Sequence, residues 1–202
     1  MMKRLLPLLL AFACFSATAQ YTTLLPGRAA PDFNLKNTDG KNVSFKDYVK
    51  AKGFIVVFTC NTCPYAKAYE QRIMHLHKKY APAGFPVIAI NPNDPEVSTA
   101  DTYEKMQALA KAKGYAFPYL FDEGQLTANA YGAKATPHTF LVMREAEGNM
   151  IRYTGAIDND TENADPAQTK YLEDAIASLL KKEAPPVAVT KAIGCTVKRK
   201  KS

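Results

Sequence analysis

The sequence predicts an α/β domain in which a central mixed sheet is covered by helices on both faces. A chain of 202 residues that is 47% hydrophobic and 22% charged has the composition of one globular domain with a sizeable core. Residues 54–58 (FIVVF) form a continuous apolar, β-branched run, which is typical of a strand buried on both faces. From residue 65 the apolar positions recur every three and four residues, which indicates an amphipathic helix. Repeated alternation of such strands and helices favours this layered architecture.

The segments around this first strand predict a hairpin before it and a helix after it. Residues 32–35 alternate apolar and polar side chains, and an Asp-Gly turn signal at 39–40 precedes residues 42–45. Pro64 fits the first turn of the helix, because the N–H group that proline lacks is unpaired there anyway.

The rest of the chain continues the alternation and ends with a hairpin and a helix. Gly114 and Gly132 are expected to end two helices, and Pro185-Pro186 to stop the last one. The predicted elements are a strand at 85–90, a helix at 99–113, an extended piece at 118–121, a short helix at 125–131, a hairpin from 139–143 and 150–153, and a helix from about 167 to 182.

The N-terminus has the pattern of a secretory signal. Lys3 and Arg4 precede an apolar run at 5–15, and the small residues at 17–19 predict a cut before Gln20. The mature protein is therefore expected to be exported, to a periplasm or to the medium. A lipoprotein anchored through Cys14 is the alternative.

The charge of the chain is concentrated at its ends. The formal net charge is +7, which becomes +5 once Lys3 and Arg4 are removed, and residues 198–201 (KRKK) carry four of those positive charges. The body is thus nearly neutral. A nucleic-acid interface requires basic residues organised on one face, so no nucleic-acid partner is expected and the basic tail is interpreted as a solvated terminus.

Cys60-x-x-Cys63 lies at the junction between the buried strand and the following helix. The partial positive charge of a helix N-terminus stabilises a thiolate, the reactive form of cysteine. The pair is therefore predicted to cycle between dithiol and disulfide, with Cys60 as the solvent-open nucleophile and Cys63 as the thiol that resolves the mixed disulfide. A structural zinc site would need two more ligands, and the chain has no second C-x-x-C.

Thr136-Pro137 precedes a later apolar strand, where a proline can also simply start an edge strand. The order of the elements, the C-x-x-C pair and this Thr-Pro step resemble the thioredoxin superfamily. Further segments look like its peroxiredoxin-like branch, in the group of redoxins, alkyl hydroperoxide reductases and thiol-specific antioxidant proteins. They are FTCNTCPYAKAYEQR, AINPNDP, FPYLFDE, AYGAKATPHTFL and TKAIGCTVKRK.

The resemblance implies a thioredoxin-like domain at 20–184, followed by a basic C-terminal extension at 185–202. It implies Cys60 and Cys63 as the reactive pair, and a cis Thr136-Pro137 bond beside it whose Thr136 pairs with an extended substrate backbone. No bound cofactor is implied. The implied partners are protein thiols or disulfides, or a peroxide, as substrate, and a thiol reductant that recycles the enzyme.

The sequence departs from both reference patterns. Aligning Cys63 with the peroxidatic cysteine of Pro-x-x-x-Thr/Ser-x-x-Cys puts Cys60 at the Thr position and Val56 at the Pro position. The chain has no Trp, and residues 54–58 lack the buried carboxylate that thioredoxin carries beneath its second cysteine. A thiol-disulfide oxidoreductase is therefore the predicted function, with a thiol peroxidase as the alternative. The alignment on Cys63 would also reverse the order in which the two thiols act.

Two further residues are candidates for a role at the site. His138 follows the proline and would face the disulfide, where it could join Cys60 and Cys63 as a copper ligand in a thioredoxin-fold copper-binding assembly protein. Cys195 lies beyond the Pro-Pro break in a segment with few apolar residues. It is expected either to swing freely or to lie along the body as an edge strand, and it is a possible third thiol of the reaction.

Overall fold

The computed structural model describes residues 21–162 and 169–200. The predicted signal segment at 1–19, with Cys14, lies outside the described residues, and so does the expected start of the last helix at 167–168.

The described residues form nine strands and four α-helices, with two short 3-10 turns. The elements are β1 (Leu35–Asn37), β2 (Asn42–Val43), β3 (Gly53–Phe58), α1 (Pro64–Tyr80), β4 (Val87–Asn91), α2 (Tyr103–Lys113), β5 (Tyr119–Phe121), α3 (Leu126–Tyr131), β6 (Ala135–Thr136), β7 (His138–Glu145), β8 (Gly148–Gly155), α4 (Tyr171–Leu180) and β9 (Cys195–Thr196).

Seven strands form one mixed sheet in the order β2-β1-β5-β4-β3-β7-β8. Strand β3 lies inside this sheet, parallel to β4 and antiparallel to β7. All six residues of β3 are buried, as the apolar run predicts. The remaining strands, β6 and β9, pair with each other beside the main sheet.

The core has two layers because successive side chains of β3 point to opposite faces. Ile55 and Val57 pack with buried residues of α1, α2 and α4 on one face. Phe54, Val56 and Phe58 pack on the other face against α3 and the N-terminal segment. The predicted α/β architecture, with helices on both faces of a mixed sheet, is confirmed. None of the helices in the described ranges is long and apolar enough to cross a membrane.

The structure shifts two predicted elements for identifiable reasons. The N-terminal hairpin is shorter than predicted because Phe33 and Phe45 leave the ladder and pack together, with ring centroids 4.7 Å apart. The helix predicted from residue 99 begins at Tyr103, because the Thr102 hydroxyl caps it by accepting the Lys105 N–H. The residue before this cap, Asp101, is fully buried beneath the cysteine loop.

Candidate active site

Cys60 and Cys63 lie in the loop that joins β3 to α1. Cys63 is the N-cap of the helix and Pro64 is its first residue, as predicted. Both cysteines are buried, with Cys60 7% and Cys63 4% exposed. The expectation that Cys60 is open to solvent is therefore wrong.

Thr136 brings the two sulfurs together. Cys60 Sγ lies 3.2 Å from the Thr136 hydroxyl, and Cys63 Sγ lies 3.1 Å from the Thr136 carbonyl oxygen. The Thr136-Pro137 bond is cis, as the resemblance implies. The side chain of Thr136 thus contacts the Cys60 sulfur, and its backbone contacts the Cys63 sulfur.

The C-terminal segment completes this cluster. Strand β9 pairs antiparallel with β6, so that Cys195 lies opposite Thr136, and the Cys195 N–H donates to Cys63 Sγ at 3.3 Å. Of the two arrangements that the sequence allows for this segment, the structure has the edge strand. The edge of Thr136 that the resemblance reserves for a substrate backbone is therefore occupied by the chain itself. Cys60, Cys63 and Cys195 are all free thiols.

The three thiols differ in acidity because their surroundings differ. Burial raises the pKa of Cys60, the charge of Asp101 raises it further, and the Thr136 hydroxyl offsets only part of this. Burial also acts to raise the pKa of Cys63, but hydrogen bonds from the Cys195 side chain and from the backbone N–H groups of Ala66, Cys195 and Tyr65 more than offset it, so this pKa is lowered. Burial, together with the hydrogen bond to Cys63 and the charge of Cys63, raises the pKa of Cys195 to about 11.

The surroundings of Cys63 therefore favour its thiolate form more than those of Cys60 or Cys195 favour theirs. The Thr136 carbonyl accepts from the protonated thiol and favours that form, whereas the helix N-terminus and Cys195 favour the thiolate. The net effect is a lowered pKa for Cys63.

Alkylation at increasing pH tests this order of acidities. We expect Cys63 in the Cys60→Ser/Cys195→Ser variant to begin reacting with iodoacetamide at a lower pH than Cys60 in the Cys63→Ser/Cys195→Ser variant, because only the thiolate reacts. Mass spectrometry of samples quenched at each pH gives both onsets, and an onset for Cys60 at the lower pH would contradict the assignment.

A buried carboxylate network, which the sequence analysis missed, holds the spacer between the two cysteines. Asp101 is fully buried and accepts hydrogen bonds from the Asn61 N–H at 2.8 Å, from the Asn91 amide at 3.0 Å and from the Asn93 amide at 2.9 Å. The Asn61 side-chain oxygen in turn accepts from the Tyr119 hydroxyl at 2.8 Å. The only signal in the sequence is the polar run that follows β4, which periodicity does not distinguish from an ordinary loop.

The same network reaches the C-terminal segment. The oxygen of the Asn93 side chain accepts the Lys198 N–H at 2.9 Å, and the Asp94 N–H donates to the Lys198 carbonyl at 2.9 Å. Arg199 donates to the Asn129 side chain and to the Ala133 carbonyl. The expectation that the basic tail is a solvated terminus is therefore wrong for Arg199, which is half-buried, whereas Lys198 is held by its backbone and remains exposed.

His138 does not face the cysteine pair. It is 3% exposed, its Nδ1 accepts the Lys134 N–H at 3.3 Å, and its Nε2 lies 3.2 Å from the Thr154 hydroxyl. Burial, with the nearby charge of Lys134, lowers its pKa to about 4. Over residues 21–162 and 169–200, no three His, Cys, Asp or Glu side chains are grouped as metal ligands. The expected position of His138 beside the disulfide is wrong, and the copper alternative loses its imidazole ligand.

Comparison with known proteins places this site in a family. The sequence profile of the AhpC/TSA family matches residues 26–158. The thiol-disulfide oxidoreductase ResA of Halalkalibacterium halodurans is 26% identical over 121 residues, which cover 60% of this chain and 64% of that protein, so the chain matches less than two thirds of this relative. A candidate peroxiredoxin of Mycobacterium tuberculosis is 28% identical over 139 residues, 69% of this chain and 82% of that protein.

Solved structures agree with the fold. The crystal structure of an uncharacterized conserved protein from Geobacillus kaustophilus has a TM-score of 0.81 at 33% identity, covering 90% of this chain and 95% of that one. A thiol:disulfide interchange protein of the thioredoxin family from Chlorobium tepidum has a TM-score of 0.55 at 21% identity, covering 78% of this chain and 98% of that one. The thioredoxin-like fold implied by the resemblance is confirmed.

Proposed function

Because the chain belongs to the AhpC/TSA family, we propose that it is a thiol-disulfide oxidoreductase that cycles between a Cys60–Cys63 dithiol and the corresponding disulfide. Its relatives that are named thiol-disulfide oxidoreductases and a peroxiredoxin support a thiol-dependent redox activity. The activity, the two residues and the cycle are proposed together.

The observation that carries this proposal is the position of two free thiols at one helix N-terminus, both in contact with Thr136 and with opposite shifts in pKa. In such a pair one thiol ionises more readily than the other. The sequence-based order, with Cys60 attacking, depended on Cys60 being open to solvent. Both thiols are buried, so exposure does not favour Cys60, and its pKa is raised whereas that of Cys63 is lowered. We therefore propose the reverse order.

The cycle begins when the Cys63 thiolate attacks one sulfur of a client disulfide. This forms a mixed disulfide and releases the other client sulfur as a thiolate. Cys60 then gives up its proton, through solvent, to the released thiolate, and attacks Cys63 Sγ. The Cys60–Cys63 bond forms, the mixed disulfide breaks, and the second client sulfur leaves as a thiolate that takes up a proton from solvent. The client is then left with two thiols. Two electrons have passed from the enzyme to the client.

A thiol peroxidase is the second candidate, and the occupied edge of Thr136 favours it. A peroxide needs no backbone pairing with Thr136, so the pairing of β9 with this residue does not block it. In that reaction the Cys63 thiolate takes one peroxide oxygen to give a sulfenic acid, and the other oxygen leaves as an alcohol or water after protonation. Attack by Cys60 on the sulfenic acid would then give the disulfide and a second water.

Parallel single-turnover reactions distinguish the two functions. We expect the reduced protein to lose the Cys60 and Cys63 thiols faster with oxidised glutathione or disulfide-bonded insulin than with an equal concentration of hydrogen peroxide. Acid quenching followed by alkylation and mass spectrometry measures the free thiols, and a Cys60→Ser/Cys63→Ser double variant gives the background. Faster loss with peroxide would assign the peroxidase reaction instead.

We also propose that the protein is exported. The support is the pattern of Lys3 and Arg4, an apolar run and small residues before Gln20. Fractionation of the host followed by N-terminal sequencing tests this, and a chain found in the cytoplasmic fraction that still begins at Met1 would contradict it.

A further inference from the structure

The C-terminal segment is held along its length by the body of the protein. Near its start, the Thr154 N–H donates to the Ala188 carbonyl at 3.1 Å, and the Thr190 N–H donates to the Thr154 carbonyl at 3.0 Å. Near its end, the Val197 N–H donates to the Lys134 carbonyl at 3.1 Å, and Val197 is buried. Cys195 therefore has a defined place, fixed on both sides along the chain.

Gly194 permits the close approach that puts Cys195 beside Cys63. A Cβ atom at position 194 would lie 2.2 Å from the Thr136 carbonyl oxygen and 2.6 Å from its carbon. Both are backbone atoms of the residue that contacts both active-site sulfurs, so a side chain here would push the strand away from the site. The absence of a side chain at 194 lets β9 lie directly on the cysteine cluster.

We propose that Cys195 is a third redox-active thiol, which takes the disulfide from Cys60 by attacking Cys63 Sγ and presents it to the thiol that recycles the enzyme. This inference rests on the proposed Cys60–Cys63 cycle and extends it by a route for re-reduction. Cys63 is the shared sulfur of both disulfides, because its Sγ is the one that accepts the Cys195 N–H.

The exchange balances without an external oxidant or reductant. Cys195 loses its proton and attacks Cys63 Sγ of the Cys60–Cys63 disulfide. The Cys63–Cys195 bond forms, the Cys60–Cys63 bond breaks, and Cys60 leaves as a thiolate that takes up a proton. One disulfide and one thiol are present before and after the step. The two oxidising equivalents come from the client disulfide reduced earlier in the cycle.

The electrostatics of the cluster change in the direction that this step requires. In the reduced protein, the hydrogen bond to Cys63 and the charge of Cys63 are two of the causes that keep Cys195 protonated. Once Cys63 is bonded to Cys60 it carries no charge, and both of these causes are removed. Oxidation of the buried pair thus makes the Cys195 thiol more acidic, while its backbone stays paired with Thr136.

The three thiols differ in exposure, and this difference gives the exchange a role in recycling the enzyme. Cys60 and Cys63 are 7% and 4% exposed, whereas Cys195 is partly exposed at the surface of the cluster. A recycling thiol that attacks Cys195 Sγ expels Cys63, the thiol of lowered pKa, and a thiol of lower pKa is the better leaving group. The exchange therefore moves the disulfide from two buried sulfurs to one that an incoming thiol can reach.

Mapping the disulfides after oxidation with diamide tests the inference. Cleavage with trypsin leaves Cys195 in peptide 192–198, and Cys60 and Cys63 together in peptide 53–67. We expect wild type to give these two peptides cross-linked, and Cys60→Ser to give the cross-link almost completely. Cys63→Ser is the matched control and should give none, although it keeps Cys60 and Cys195. A Cys195 that is alkylated as a free thiol in both wild type and Cys60→Ser would overturn the inference, as would an equal cross-link in Cys63→Ser.

Re-reduction kinetics test the recycling role. We expect oxidised Cys195→Ser to be re-reduced by dithiothreitol about tenfold more slowly than wild type, because the buried sulfurs must then be attacked directly. Thr196→Ala, which changes the neighbouring exposed residue of β9, should be re-reduced at the wild-type rate. Equal rates for wild type and Cys195→Ser would overturn the inference. Diamide forms the disulfides without a client. The disulfide map therefore tests the role of Cys195 even if the protein fails to reduce client disulfides. That failure would overturn only the proposed function.

Discussion

Replacing Cys60 with serine in a Cys195→Ser background is expected to trap the protein on its clients. In this double variant, the Cys63 thiolate still attacks a client disulfide, but no second thiol is left to attack Cys63 Sγ. The mixed disulfide therefore accumulates. Incubation with disulfide-bonded insulin, followed by a non-reducing gel, should show the adduct as the main band.

The matched control is Cys63→Ser in the same background. It should form almost no adduct, and its rate of client reduction should fall about a thousandfold or more, the scale of losing a nucleophile. The background matters because Cys195, whose N–H contacts Cys63 Sγ, would release the adduct in a Cys60→Ser single variant. Adducts on Cys63→Ser/Cys195→Ser and none on Cys60→Ser/Cys195→Ser would restore the sequence-based order, with Cys60 attacking.

The location of the cysteine pair could be predicted because its causes are local. The β-branched run of residues 54–58 gives a buried strand, and Pro64 with the periodicity that follows gives a helix start, so the C-x-x-C between them had to lie at a strand–helix junction. The cis Thr136-Pro137 step came from the family resemblance, because its local sequence also fits a simple edge strand.

The difference in acidity between the two thiols could not be predicted because its causes are distant in sequence. The pKa of Cys63 is lowered in part by Cys195, which lies 132 residues further along the chain, and that of Cys60 is raised in part by Asp101. The docking of the tail was one of two arrangements that the sequence allowed, and the sequence did not decide between them. Residues 197 and 198 make the deciding hydrogen bonds through their backbone, which leaves no pattern of apolar side chains.

The position of His138 in the fold could not be predicted from the sequence either. A histidine after a proline gives no sign of its burial, which follows from the pairing of β7 with β3 and places His138 opposite Phe58. Its ring nitrogens contact Lys134 and Thr154 in the described fold. This pairing thus directs His138 to partners other than the cysteines.

Replacing Asp101 with alanine is expected to cost about 3 kcal/mol of the free energy of unfolding, because several buried donors lose their acceptor at once. The Asn61 N–H and the amides of Asn91 and Asn93 all donate to this carboxylate, and no other acceptor for the Asn61 N–H is present in the described residues. The melting temperature should fall by roughly 6–12 °C for a domain of this size. Thermal unfolding followed by circular dichroism measures it.

The variant should also change the chemistry of the site, since the charge of Asp101 is one of the causes that raise the pKa of Cys60. Alkylation of Cys60 in Asp101→Asn, made in the Cys63→Ser/Cys195→Ser background, should therefore begin at a lower pH than in that background alone. Asp94→Ala is the control for stability, because within residues 21–162 and 169–200 the Asp94 carboxylate in the same loop accepts only from the Glu96 N–H. A loss in Asp101→Ala no larger than that in Asp94→Ala would show that Asp101 does not hold the cysteine loop. A Cys60 onset that stays unchanged in Asp101→Asn would show that the carboxylate acts on structure and not on the thiol.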